Sequence, residues 1–276
     1  MENILLPSKI EFTELNNPNT GEVVISPCHQ GYGTTLGNAL RRVLLSSLPG
    51  AAVESVKIKG VQHEFSAIEG VQEDVVQVIL NLKQLAVRCY SDEHVTLSLS
   101  KKGKGDILAS DFEKNADVEI MNPDHKIASI TDDKLSFEME ITIGKGRGYV
   151  AVSEKETSDM GLGTIAIDSL YTPIKDIGYN VEMTRVGDVT NYEKLTLSIE
   201  TNGTITPKEA VAQATKILMD HFELILNEAE NNAPKKESEE KDSADEESTD
   251  ENEDNEDMKE SGDDEEKDTE EKKDEK

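Results

Sequence analysis

The chain changes period sharply near residue 30. EVVISP, residues 22–27, is a short apolar run ending at Pro27. Gly31, Gly33 and Gly37 follow, and from there the apolar positions recur at helical spacing. Projected at about 100° per residue, Leu36, Leu40, Val43 and Leu44 fall on one face, a normal core face, while Asn38, Arg41, Arg42 and Leu45 fall on the other. The pattern predicts strand, glycine turn and helix, with the helix starting behind an N-cap at Thr34 or Thr35. A second helix is predicted over residues 70–85, GVQEDVVQVILNLKQL, where Val71, Val75, Val78, Leu82 and Leu85 form one stripe. Glu73 and Asp74 fall in its first turn, where the helix dipole favours acids. Between these helices AAVESVKIKGV alternates in part, at Val53, Val56 and Ile58. From residue 86 to 152 the period is mostly two, in HVTLSLS, DVEIM, KLSFEMEITI and RGYVAVS, broken by Gly, Pro, Asn and Asp turns. After an exposed loop at TSDMGLG, three further strands are expected in TIAIDS, GYNVEMTRV and KLTLSIETN.

The last element is the most clearly punctuated. Thr206, Pro207 and Glu209 make a capping box with proline at the first helical position. Val211, Leu218, Phe222, Ile225 and Ala229 form one stripe, and Ala210, Ala214, Ile217 and Leu224 a second beside it. An apolar face this broad needs neighbours on more than one side. A place deep in the chain's own core and a contact with a symmetry mate both satisfy it. The first helix raises a parallel question, since Leu45 stands among two arginines and an asparagine. Such a face is either a stray leucine in a solvated surface or a polar-rimmed partner site.

Strand, glycine turn and helix is also where a dinucleotide's pyrophosphate sits, but that fingerprint is G-x-G-x-x-G. Gly31, Gly33 and Gly37 are spaced G-x-G-x-x-x-G, and the region around Glu54, where a ribose-binding acid would fall, already belongs to the next strand. The chain lacks G-x-x-x-x-G-K-[ST], G-x-S-x-G and H-E-x-x-H. The glycine-basic runs KKGKGD and GKGRGYV read as hairpin turns. His29, His63, His94, His125 and His221 lie on unlike elements, so no catalytic residues, cofactor or metal are expected.

Composition adds a boundary. Of 58 acids in the chain, 23 lie between residues 231 and 276 against 8 Lys and Arg, with no Val, Ile, Leu or aromatic residue. A segment of that kind cannot bury enough apolar surface to offset its ordering entropy, and a disordered acidic tail is expected. The remaining 35 acids face 21 bases, a net of −14, which repels a phosphate backbone and makes DNA contact by this chain unlikely. Cys28 and Cys89 are far apart and read as small core residues. No stretch approaches the ~20 apolar residues of a membrane span, so no membrane partner and a cytoplasmic location are expected.

Taken together, GYGTTLGNALRRVLLSSLPGAAV, GVQHEFSAIEGVQEDVVQVILNLKQLAVR, GRGYV, YNVEMTRV and LSIETNGTITPKEAVAQATKIL resemble the N-terminal region of the bacterial RNA polymerase alpha subunits, in order and at the family's spacing. The resemblance implies an α+β fold: a dimerisation subdomain with two long helices on an antiparallel sheet, from residues 1–49 and 176–230, plus an inserted β-rich subdomain, residues 50–175. It implies a non-catalytic scaffold of a nucleotidyltransferase, a homodimer that assembles the beta and beta-prime subunits, with omega and sigma in the holoenzyme. Helices matching residues 34–47 and 207–228 would form the dimer, through Leu36, Leu40, Leu44, Leu218, Phe222 and Ile225. Arg42 matches the family's beta-contacting arginine, with Leu45 one turn on. His63, Glu64, Phe65, Glu73, Asp74 and Arg147 match segments lying against the large subunits. The family usually ends in a DNA-contacting helix-hairpin-helix domain, where this sequence has the acidic tail.

Overall fold

The computed structural model describes residues 4–15, 17–155 and 161–231. The TSDMGLG loop lies partly outside these residues, and so does the acidic tail beyond Asn231. In chain order the first elements are β1 (Lys9–Glu14), β2 (Thr20–Cys28), α1 (Tyr32–Ser46), β3 (Pro49–Ile58) and α2 (Val75–Lys83). There follow β4 (Val87–Cys89), β5 (Val95–Lys102), β6 (Gly105–Leu108), β7 (Val118–Ile120), β8 (Lys126–Ile130) and β9 (Ser136–Arg147). The chain continues through β10 (Tyr149–Val150), β11 (Thr164–Ala166), β12 (Ser169–Leu170), β13 (Ile174–Val186), β14 (Val189–Thr201) and α3 (Pro207–Asn231). The class is mixed α+β, with antiparallel pairing throughout and three α-helices among the described residues.

One antiparallel sheet runs β1-β2-β14-β13 and joins the two ends of the folded chain. Its inner face is the alternating set Val23, Ile25, Leu195, Leu197 and Ile199, and α1 and α3 supply Leu40, Leu44, Ala210, Val211 and Ala214 to the same cluster. The helix sits close to the strands because it lacks side chains where they would collide. A Cβ on Gly37 would meet Tyr179 at 2.8 Å and Leu195 at 2.9 Å, and one on Gly33 would meet Glu193 at 2.8 Å. A six-stranded sheet ordered β5-β9-β3-β4-β7, with β11 also on β3, carries a separate cluster that includes Val56, Leu82, Leu99, Ile127 and Ile141. β6 pairs with β8, and β10 with β12.

The mixed phase of Val53, Val56 and Ile58 has a cause. The β3–β9 register slips between Val53 and Ser55, leaving Glu54 as an extra residue, so all three apolar side chains stay buried. α2 is shorter than its pattern predicts. Asp74 is its N-cap, accepting from the Gln77 amide at 2.7 Å, so Val71, Glu73 and Leu85 fall outside the helix. GKGRG is not a hairpin turn either, because residues 144–147 belong to β9. Their glycines make room for neighbours: a Cβ on Gly144 would overlap the Glu54 carboxyl, and one on Gly146 would meet the Tyr171 ring at 2.7 Å. KKGKGD does turn, but from β5 to β6, which lie in different sheets.

Candidate subunit-docking surfaces

The β2–α1 turn resolves the phosphate question. α1 begins at Tyr32, ahead of the expected threonines, with Gly31 as N-cap at φ 86°. No hydroxyl is needed there, because a glutamate does the capping from across the sheet. The Gly31 N–H donates to Glu193 Oε1 at 2.8 Å and the Gly33 N–H to Glu193 Oε2 at 2.9 Å. The amides that a pyrophosphate would need are occupied by a carboxylate only 7% exposed. The chain's own anion excludes the nucleotide reading. Sequence reasoning missed Glu193, although its signal is present. It stands in phase with Leu195, Leu197 and Ile199, an acid on the buried side of a strand.

Past that clamp the two faces of α1 divide as the projection requires. Leu40 and Leu44 are buried in the chain's own core, with Leu36 and Val43 packed at its margin. Asn38, Arg41 and Arg42 are exposed, and Leu45 stands 38% open among them. Two of the dimer candidates, Leu40 and Leu44, thus pack inside the single chain, with Leu36 at the margin of the same cluster. In α3 the capping box forms as read: Thr206 N–H donates to Glu209 Oε2 at 3.0 Å, and Glu209 N–H to Thr206 Oγ1 at 3.2 Å. The helix then changes environment along its length. Ala210, Val211 and Ala214 are buried, Ile217 and Leu218 half-buried, and every side chain described beyond them exposed. Phe222 is 63% open and Ile225 62%, with Met219, Leu224 and Leu226 beside them.

The remaining candidates separate. Phe65 is 81% exposed, with Glu64 and His63 beside it, the latter 3.1 Å from Ser66 Oγ. Arg147 is exposed at the end of β9. Asp74 is taken up as the α2 cap. Glu73 is engaged inside the chain, accepting from the Ser129 N–H at 2.6 Å and its hydroxyl at 3.2 Å.

A further polar network surrounds the part-buried Glu54. Tyr171 donates to Glu54 Oε1 at 2.6 Å, and His94 Nδ1 lies 2.9 Å from Glu54 Oε2. Burial, then the hydrogen bond to Glu54, pushes the Tyr171 phenol up to about 12. Lys155 donates to the carbonyls of Glu54 and Ile167 and to Ser169 Oγ, and burial holds its ammonium below the usual range. These contacts tie β3 to the segment around residues 155–171, while His94 stays largely open to solvent. Among the described residues no three His, Cys, Asp or Glu side chains are placed to hold a metal, Cys28 and Cys89 are buried free thiols, and no helix is long and apolar enough to cross a membrane.

Comparison with known proteins identifies the family. Residues 56–172 match the RNA polymerase Rpb3/RpoA insert domain. The DNA-directed RNA polymerase subunit alpha of Symbiobacterium thermophilum is 52% identical over 224 residues, 81% of this chain and 71% of the relative. The subunits of the same name in Alkaliphilus oremlandii and Clostridium kluyveri are each 50% identical over 219 residues, 79% of this chain and 69% of the relative. With more than two thirds of each relative covered at that identity, the chain belongs to the family of DNA-directed RNA polymerase alpha subunits.

Proposed function

We propose that this alpha subunit is a non-catalytic, homodimeric scaffold of a cytoplasmic RNA polymerase. A second copy closes the distal half of α3, and the outer face of α1 docks the beta subunit on one copy, while the other copy meets beta-prime. Omega and sigma complete the holoenzyme. The observation that carries the reading is the division within each helix. α3 leaves Phe222, Leu224 and Ile225 bare after Ala210, Val211 and Ala214 pack into the core, and α1 offers Arg41, Arg42 and Leu45 outward while Leu40 and Leu44 anchor it. An apolar stripe on a helix stabilises the fold only where a neighbour covers it. The subdomain reading has support from packing, since one apolar cluster draws on residues 23–48 and 174–214 and the other on residues 53–167. That distribution fits a dimerisation subdomain of residues 1–49 and 176–230 with residues 50–175 inserted. Phe65 and Arg147 extend the candidate large-subunit surface.

The test is the stoichiometry of the complex purified with this chain from its own cells. Two copies beside one each of two very large subunits are expected. A lone chain, or one in unrelated company, overturns the proposal.

A further inference from the structure

We propose that Glu193 is the positioning residue for the docking face of α1. It holds the helix by the amides of Gly31 and Gly33 and so sets where Asn38, Arg41, Arg42 and Leu45 stand against a partner. The inference rests on the reading of that face as a docking surface. Its grounds are geometric. Glu193 lies on the buried phase of β14, where Leu195, Leu197 and Ile199 satisfy the core with carbon alone. A buried carboxylate is unfavourable unless hydrogen-bonded, and each oxygen here takes one backbone N–H, at 2.8 and 2.9 Å, at the positive end of a helix.

The clamp is therefore intolerant of slippage, because a displaced helix leaves both a charge and two amides unsatisfied. Further grips lie along the helix. A Cβ on Gly33 would meet Val181 at 3.0 Å, and one on Gly37 would meet Tyr179 and Leu195, all on the β13–β14 hairpin. Together they fix the rotation of α1 about its axis. On a helix of radius ~6 Å, a rotation of about 20° carries an outward side chain about 2 Å. That displacement breaks hydrogen bonds, which span only ~3 Å between heavy atoms.

Glu193→Gln keeps the size of the side chain but turns an NH2 group toward an N–H donor. Glu193→Asp keeps the charge but is one methylene short. Both are made in the full chain, each with and without Arg42→Ala, and titrated with purified beta subunit. Sedimentation reports the dimer, and hydrogen exchange reports the amides of residues 31 and 33. Faster amide exchange, an intact dimer and capture weakened about tenfold are expected when Arg42 is present, with little further loss when it is already alanine. Equal losses in both backgrounds, or unchanged capture, overturn the positioning role. If Glu193→Gln does not fold, the aspartate variant carries the same comparison. Should Arg42→Ala alone leave capture unchanged, the docking reading falls and takes this role with it, while amide exchange still reports whether the clamp exists.

Discussion

A single methyl group measures how closely α1 rests on its sheet. Gly37→Ala gains about 1 kcal/mol in helix propensity, yet the added Cβ arrives 2.9 Å from the fully buried Leu195 and 2.8 Å from the Tyr179 ring. Overpacking of that kind costs roughly 1–3 kcal/mol. The clash wins, and the melting temperature is expected to fall by a few degrees. Gly178→Ala, where a Cβ meets nothing within 4 Å, is the control and should melt no lower than the parent chain. Tyr171 gives a second residue-level outcome. Its folded pKa, about 12, lies above the unfolded value near 10, so the neutral phenol is bound more firmly in the fold. The stability this contributes is complete below pH ~10 and is lost as pH rises toward about 12. Phenolate absorbance should show this tyrosine titrating last, and Tyr171→Phe should remove the delay.

At the scale of elements, α3 makes the sharpest statement, because its two halves live in different surroundings. Phe222→Asp changes a side chain already 63% exposed in one copy, so the folded chain should keep its circular dichroism and melting behaviour. In the dimer the same change buries an unpaired charge, and sedimentation should return a monomer. A dimer that survives assigns the contact to another surface. The two stripes of α3 and the capping box were readable because helical periodicity and T-x-x-E are local signals. So were the two faces of α1, with Leu40 and Leu44 on the core side, though not how completely the chain's own sheet covers them, since depth in a core is a tertiary property. β6 and β8 carry no clear alternation, since four consecutive residues of β8, Ile127 to Ile130, are buried. The start of α1 was misread for a more instructive reason. Its cap is Glu193, 160 positions beyond Gly33, and no local rule weighs a strand's in-phase acid against a distant helix terminus. α2 was overextended because Glu73 and Asp74 look alike in sequence, whereas one turns to Ser129 and the other caps the helix.

For the molecule as a whole, charge and geometry divide the labour of a transcribing enzyme. A chain of net charge −29 repels duplex DNA, and gel retardation at low salt should show no shift with this subunit alone. The helices leave two exposed patches apart from one another. The bare half of α3 lies beyond its packed first turns, while Arg42 lies on the side of α1 opposite Leu40 and Leu44. If a second copy takes the first surface and beta the second, their contributions separate. Arg42→Ala should leave sedimentation of the dimer unchanged and weaken capture of beta, because the lost guanidinium is solvent-exposed in the free chain and contributes nothing to its core. At a partner contact, truncating a buried arginine costs roughly 2 kcal/mol or more, some thirtyfold in the dissociation constant. Phe222→Asp should also prevent a complex with two copies, even though it leaves the beta-facing side chains intact. A dimer dissociated by Arg42→Ala would mean that α1 is turned the other way, with its arginine face toward the second copy.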